Sequence, residues 1–345
     1  MIQDNKASLN ELSVSIIIPT LNRANYLKDT IQSLIGQVFS KKQYEIIVVD
    51  NGSTDDTKKV VKNAIEKNMN HNIRYALEPI PGLLSGRHHG AEKAVNDILT
   101  FVDDDILADP GWLKGIVKTF EDPSVHLVGG PSLPLYEADP PEWLEEFWIQ
   151  HKFGRECGDL SLIDLGQDQK EIDPIFVWGL NMSVRRRTFF KLGGTHPDCI
   201  PEHLQKYQGD GETGLSLRIA KAGLRAIYQP KALVRHRIPE DRMSIKSFEK
   251  RYFYQGICDS FTRIREKNGI NKEMGNFSEN DITLCSILDK ADDRVQIREI
   301  KKMFRKGYAK GFMFHQKQVA SDERLLEWVL RKNYLDYRLP CSEGI

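Results

Sequence analysis

Short apolar runs separated by helix-spaced patterns dominate the first 130 residues. Residues 14–19 (VSIIIP), 44–49, 72–77 and 98–102 are runs of strand length, and 126–128 adds a shorter one. Apolar character that is continuous rather than alternating predicts strands covered on both faces, as in parallel sheets. Between them Leu27, Ile31, Leu34 and Ile35 recur at helical spacing, as do Val60, Val61, Ala64 and Ile65. Helices are therefore predicted over 25–35, 55–68, 84–96 and 110–120, the last opened by Pro110. Strands that alternate with helices predict βαβ units and an α/β fold with a mainly parallel sheet.

Beyond Gly130 the pattern loosens, and Pro131, Pro134, Pro140 and Pro141 punctuate it. A short helix is expected over 141–150, a loop over 154–175, and a strand over 175–178 leading into Gly179-Leu180-Asn181. Arg185-Arg186-Arg187 starts a helix, and another runs from Gly209 to Ala222, with Gly223 placed to end it. Short strands follow at 226–229 and 232–234. Past Pro239 the chain reads as helical, over 244–267, 281–288, 293–317 and 321–331, with a break at 267–280. The organisation expected is a loose leader (1–12), an α/β domain (13–239) and a C-terminal helical extension (240–345).

Composition narrows the class. Apolar residues make up 40% and charged residues 28% of 345, which fits a globular chain. Lys+Arg and Asp+Glu are both 49, so no global basic field points to nucleic acid. The apolar runs fall far below the ~20 residues that span a bilayer. The start, MIQDNKASLNELS, lacks the apolar segment of a secretory signal. Cys157, Cys199, Cys258, Cys285 and Cys341 are scattered, without a C-x-x-C pair, which fits a reducing, cytoplasmic setting.

The chemistry concentrates at Asp103-Asp104-Asp105, directly after the apolar run 98–102. Bunched carboxylates repel and lose hydration together, and a divalent cation, Mg²⁺ or Mn²⁺, is the simplest compensation. In an extended segment Asp103 and Asp105 would share a face, with Asp104 pointing away. Helix capping explains Asp109 before Pro110, but not three acids four to six residues earlier.

Further motifs follow other strands: Pro19-Thr20-Leu21-Asn22-Arg23, Asp50-Asn51-Gly52-Ser53-Thr54-Asp55, and Gly179-Leu180-Asn181. With them come GLLSGRHHG (82–90) and GDGETGLSLR (209–218). In this order and spacing, over about residues 13–237, the chain resembles the family 2 glycosyltransferases. These have the GT-A (Rossmann-like) fold and use nucleotide-diphosphate sugars. The resemblance implies a nucleotide-sugar-binding half (13–130) and an acceptor half (131–239). It places the nucleoside on Pro19, Thr20, Asn22, Arg23 and Asp50, with Arg23 stacking on the base or pairing with Asp50. Arg87 would meet the diphosphate, and Asp104 would lie near the nucleotide sugar. Trp178, Gly179 and Asn181 would line the sugar pocket.

The same resemblance makes Asp103 and Asp105 cation ligands, joined by His236. It makes Glu212 the base, with Asp210 the runner-up, because Asp210-Gly211-Glu212 replaces the adjacent acid pair usual at that place. Each residue has a plainer reading beside it: a turn for Asp50, a solvated helix position for Arg87, core packing for Trp178, helix-start capping for Glu212 and Asp210, and a structural role for His236. The activity implied is inverting transfer of a sugar to the hydroxyl of a saccharide or lipid-linked saccharide, in surface polysaccharide or glycolipid assembly. Competing readings are a sugar-1-phosphate nucleotidyltransferase, disfavoured by a 19–23 loop without glycines, and a non-catalytic protein of the same fold. Phe248, Tyr252, Phe253, Ile257, Phe261 and Ile264 form a stripe flanked by basic residues. It suits a core face better than a face for peripheral attachment to the inner side of a membrane.

Overall fold

A computed structural model describes residues 12–269, 288, 292–336 and 338–339. The parallel half is built as the apolar runs predict. Strands β1 (Val14–Thr20), β2 (Tyr44–Asp50), β3 (Asn72–Leu77) and β4 (Ile98–Val102) alternate with helices α1 (Ala24–Ile35), α2 (Thr57–Lys67) and α3 (Leu83–Lys93). Strand β5 (Ile106–Ala108) and helix α4 (Trp112–Phe120) lead to β6 (Val125–Gly129). Alternate residues feed two cores. Ile16, Ile18, Ile46 and Val48 join the cluster under α1 and α4, and Ile17, Ile47 and Val49 join the cluster on the opposite face. Each such side chain contributes about 1.5–3 kcal/mol by leaving water, so register is strongly specified.

The second half departs from expectation. Residues 154–175 are not a loop. They carry β9 (Gly154–Cys157), β10 (Leu162–Asp164) and β11 (Lys170–Ile172), after β7 (Ser132–Tyr136) and β8 (Ile149–His151). Strands of three or four residues are too short to display a period of two. Residues 175–178 are not a strand either. Pro174–Phe176 is a 3-10 turn, and the strand β12 runs from Asn181–Arg185, followed by α5 (Arg186–Lys191). Helix α6 (Thr213–Lys221), β13 (Arg225–Tyr228) and β14 (Val234–Ile238) complete the α/β region.

Two sheets result. The eight-stranded sheet has the order β11-β13-β6-β12-β4-β1-β2-β3. Its strands run one way except β12 and β11, so it is mixed but mainly parallel. The second, six-stranded sheet, order β5-β14-β7-β10-β9-β8, has no counterpart in the sequence reading. Because β12 is antiparallel to β4, with Asn181 opposite Val102, its start lies at the sheet edge where the parallel strands end. Gly179 and Leu180 thereby reach the edge that carries Thr20, Asp50 and Asp103.

Helix α7 (Ile245–Lys267), capped by the Ser244 hydroxyl, packs on this second sheet. Phe248, Tyr252, Ile257, Phe261 and Ile264 are buried, so most of the stripe is core. The long helix Val295–Ser321 lies against α7, and Glu323–Val329 follows it. Of the expected helix at 281–288 only residue 288 is described; the rest, and nearly all of the leader and the break, fall outside the described residues. The two long helices touch backbone to backbone. A Cβ at Gly311 would overlap the Phe253 carbonyl, and one at Gly256 the Tyr308 carbonyl. Alanine adds about 1 kcal/mol of helix propensity over glycine, whereas overpacking costs about 1–3 kcal/mol and backbone cannot step aside. Gly311→Ala is accordingly expected to destabilise by about 1–2 kcal/mol net, read as a lower urea midpoint with unchanged helical circular dichroism.

Candidate active site

Strand-end loops build one wall of a cleft of about 570 Å³. The turn after β1 is tied to the turn after β2. Asn22 sits at φ 56, a left-handed conformation that asparagine tolerates. Its side-chain oxygen accepts from the Thr54 N–H at 2.8 Å, and its N–H donates to Ser53 Oγ at 2.9 Å. Asp55 accepts from the Ala24 N–H at 3.0 Å and so steadies the start of α1. Asp50 serves this turn. Its Oδ1 accepts from the Gly52 and Ser53 N–H groups at 3.1 and 2.7 Å, and its Oδ2 accepts from the Tyr75 hydroxyl at 2.8 Å.

The aspartate triplet is divided differently from an extended strand. Strand β4 stops at Val102, and the following residues turn, so alternation does not apply. Asp104 and Asp105 share Arg23, and Asp103 turns to Arg87 while staying within the field of Asp105 and His236. Arg23 meets both, with Nε 2.8 Å from Asp104 and Nη2 on Asp105. It pairs with these carboxylates rather than with Asp50. Asp104 also accepts from the Thr20 hydroxyl at 2.6 Å. Burial pushes the Asp104 carboxyl up to about 7 against the pull of Arg23. Asp105 is buried too, but the Arg23 and Arg242 guanidinium groups beside it hold its carboxyl below the usual carboxylate range.

His236 and Asp105 meet with an open valence. His236 Nδ1 donates to the Leu160 carbonyl at 2.9 Å, which leaves Nε2 as a lone pair. That lone pair lies 3.2 Å from Arg242 Nη1 and 3.4 Å from Asp105 Oδ1, a buried oxygen without a hydrogen bond. One carboxylate oxygen and one imidazole nitrogen facing each other fit a cation between them, and the mixed donor set suits Mn²⁺ over Mg²⁺. Among the described residues no three acids, histidines or cysteines are gathered as a complete ligand set, and Arg23 occupies part of the carboxylate pair.

Asp103 and Glu212 are joined by Arg87. This arginine, far from solvated, is buried in α3, with Nη1 3.1 Å from Glu212 and Nη2 3.7 Å from Asp103. Glu212 Oε1 also accepts from the Gly179 N–H at 3.0 Å. Burial raises the Glu212 carboxyl, but Arg87 and this N–H outweigh it and the net shift is downward. For Asp103 burial prevails over Arg87 and its carboxyl is raised. Asp210 is used elsewhere. It accepts from His196 Nδ1 and, at 2.8 Å, from the Thr262 hydroxyl, while His196 Nε2 faces Arg218. Burial lowers His196 to about 4, so the ring is neutral and its tautomer is set by these two neighbours.

Two expected pocket residues lie elsewhere. Asn181 is buried, accepting from Trp112 Nε1 at 2.9 Å and donating to the Ala232 carbonyl at 2.8 Å. Trp178 packs against the core, with Nε1 on the Ile175 carbonyl at 3.0 Å. Neither lines the cleft; Leu180 does. Gly179 matters by its lack of a side chain, because a Cβ there would overlap the Arg87 guanidinium. Pro19, Thr20, Arg23, Asp103, Asp104 and Asp105 do line it, with Arg87, Asp210 and Glu212. Asp198 from the loop before α6, and Arg242 and Arg251 from beyond residue 239, also face the cleft. No motif marks them, because they reach it from distant segments.

A mixed sheet whose strand ends carry such a cleft defines the GT-A class of glycosyltransferase folds. The sequence matches the family described as Glycosyl transferase family 2 over residues 15–187, half of the chain, and the protein belongs to that family and is a glycosyltransferase. It is 25% identical over 254 residues to the glucosyl-dolichyl phosphate glucuronosyltransferase of Haloferax volcanii, covering 71% of this chain and 75% of that one. It is 35% identical over 118 residues to the GalNAc(5)-diNAcBac-PP-undecaprenol beta-1,3-glucosyltransferase of Campylobacter jejuni, covering 34% of this chain and 37% of that one. In structure it is similar to the mannosyltransferase PcManGT of Pyrobaculum calidifontis, solved with GDP-Man and Mn²⁺. The TM-score is 0.54 at 17% identity, covering 94% of this chain and 84% of that one. Among the described residues no helix is long and apolar enough to cross a membrane.

Gly179→Ala is expected to displace Arg87 from Glu212 and to cost about 1–3 kcal/mol. Gly111→Ala, where the new Cβ would meet no atom closer than 4.0 Å, should change stability by less than about 0.5 kcal/mol. Urea unfolding of the two variants makes the comparison.

Proposed function

We propose that the protein transfers a sugar, with inversion, from a nucleotide-diphosphate donor to an acceptor hydroxyl. The observation that carries this reading is Arg87, one buried guanidinium between Asp103 on the donor side of the cleft and Glu212 on the other. The reacting sugar carbon would lie in the cleft that both carboxylates line, beside the guanidinium that joins them. The 19–23 loop, including Pro19, Thr20, Asn22 and Arg23, together with Asp50, borders the nucleoside. Asp50 acts there by shaping the turn.

Asp105 and His236, with Asp103, would hold a divalent cation. Such a cation, when bound, neutralises charge on the departing diphosphate. The Mn²⁺ in the Pyrobaculum calidifontis enzyme supports this assignment. The chain's own part is to hold charge and move one proton. Glu212 is kept ionised by Arg87 and the Gly179 N–H. It takes the proton of the acceptor hydroxyl as the new carbon–oxygen bond forms and the bond to the donor phosphate breaks. Both acids accept hydrogen bonds on each oxygen, but the Asp210 side chain is 4% exposed against 22% for Glu212, so Asp210 is the less suited to meet an acceptor. The dolichyl- and undecaprenol-linked names of the two relatives support a lipid-linked saccharide as acceptor.

Thermal unfolding with UDP, GDP and dTDP, with and without Mn²⁺, tests the donor site. One nucleotide is expected to raise the midpoint only when the metal is present, and no shift with any nucleotide would overturn the reading. Glu212→Gln is expected to retain nucleotide stabilisation and to lower sugar transfer about 10²–10⁴-fold. If Asp210→Asn produced that pattern instead, the base would be two residues earlier.

A further inference from the structure

Asp198 lines the cleft from a loop that no motif marks. The chain fixes one of its carboxylate oxygens. Oδ1 accepts from the Cys199 N–H at 2.8 Å and from Gln208 Nε2 at 3.2 Å. The Asp198 carbonyl accepts from the Leu83 N–H at 3.0 Å, which ties the loop to the start of α3, the helix of Arg87. Cys199 stands at φ 47, a left-handed conformation costly for a side chain of this kind.

Oδ2 has no hydrogen bond among the described residues. It lies over Gly211, where an added Cβ would stand 2.9 Å from it. Gly211, at φ +59, immediately precedes Glu212. The free oxygen of Asp198 is therefore poised beside the base. Burial, with the Glu212 charge next, pushes the Asp198 carboxyl up to about 6.

Helix α7 supplies the facing wall. Arg251, Gln255 and Asp259 recur at four-residue spacing and all line the cleft. Gln255 Nε2 donates to Asp259 at 2.7 Å. Arg251 has no carboxylate within 4 Å among the described residues, and the charge of Asp159 and, less strongly, of Asp198 acts on it from farther off. Two carboxylates that already act on this guanidinium offset part of its pull on an anion. An open carboxylate oxygen opposite an open set of N–H donors suits neighbouring hydroxyls of an uncharged sugar.

We propose that Asp198 and Arg251 form the acceptor-saccharide subsite. Asp198 Oδ2 accepts from a hydroxyl next to the one that Glu212 deprotonates, and Arg251 donates to oxygens of the same sugar. This rests on the glycosyl-transfer reading above. The probes are methyl glycosides of glucose, galactose and mannose at millimolar concentration, added with UDP, GDP or dTDP and Mn²⁺ and followed by saturation-transfer NMR.

The wild-type chain is expected to bind at least one glycoside. Asp198→Asn and Arg251→Gln should each weaken that binding about tenfold or more, with Arg251→Lys partly restoring it. Nucleotide stabilisation of the variants should stay close to wild type, which a merely structural loss would not allow. Equal glycoside binding by wild type and Asp198→Asn, or none by wild type, overturns the subsite. Absence of any nucleotide effect on the wild-type chain would instead strike the glycosyl-transfer reading itself.

Discussion

Arg87 is the interaction on which the site depends. Removing a guanidinium from water costs several kcal/mol, and only close opposite charge repays it. Asp103 and Glu212 supply that charge from segments more than a hundred residues apart, and Gly179 leaves the room for it. The arrangement fixes the spacing between the two sides of the cleft before any substrate enters. It also settles the ionisation of Glu212, whose burial alone would favour the protonated form. In the role proposed for Glu212 a carboxylate is useful only when unprotonated, and the arginine favours that form.

The other cluster of charge works by a different balance. Arg23 stands over Asp104 and Asp105 and answers the repulsion between neighbouring carboxylates within the chain itself. It does so incompletely, because Asp105 Oδ1 remains without a hydrogen bond and faces His236 Nε2, which accepts from Arg242. The chain thus carries its own counter-ion and still leaves one carboxylate oxygen unpaired.

Legibility in the sequence followed length and locality. The run at 98–102 matches β4 residue for residue, because all five residues are buried and the single polar one, Thr100, is small and β-branched. Strands β8 to β11 were invisible, since three or four residues show neither period nor a continuous apolar block. The aspartate triplet announced a functional corner, but strand alternation failed one residue after the strand ended. Sequence assigns Arg87 to the diphosphate, with a solvated helix position as the plainer alternative, and only the fold reveals the two carboxylates that flank it. Asn181 drew a pocket role from its position beside Gly179, although its amide braces Trp112 and a backbone carbonyl. Asp198 and Arg251 could not be found by motif at all, because a loop and a distant helix bring them to the cleft.

The glycine contacts between α7 and Val295–Ser321 bear on how the cleft could move. Two helices whose main chains touch at Gly256 and Gly311, and whose flanking side chains interlock, Phe248 and Tyr252 against Phe304, have no slack between them. Such a pair resists sliding and bends as one beam. The wall bearing Arg251 and Gln255 is then a fixed jaw, and any adjustment to the size of an incoming molecule falls to the loops across from it.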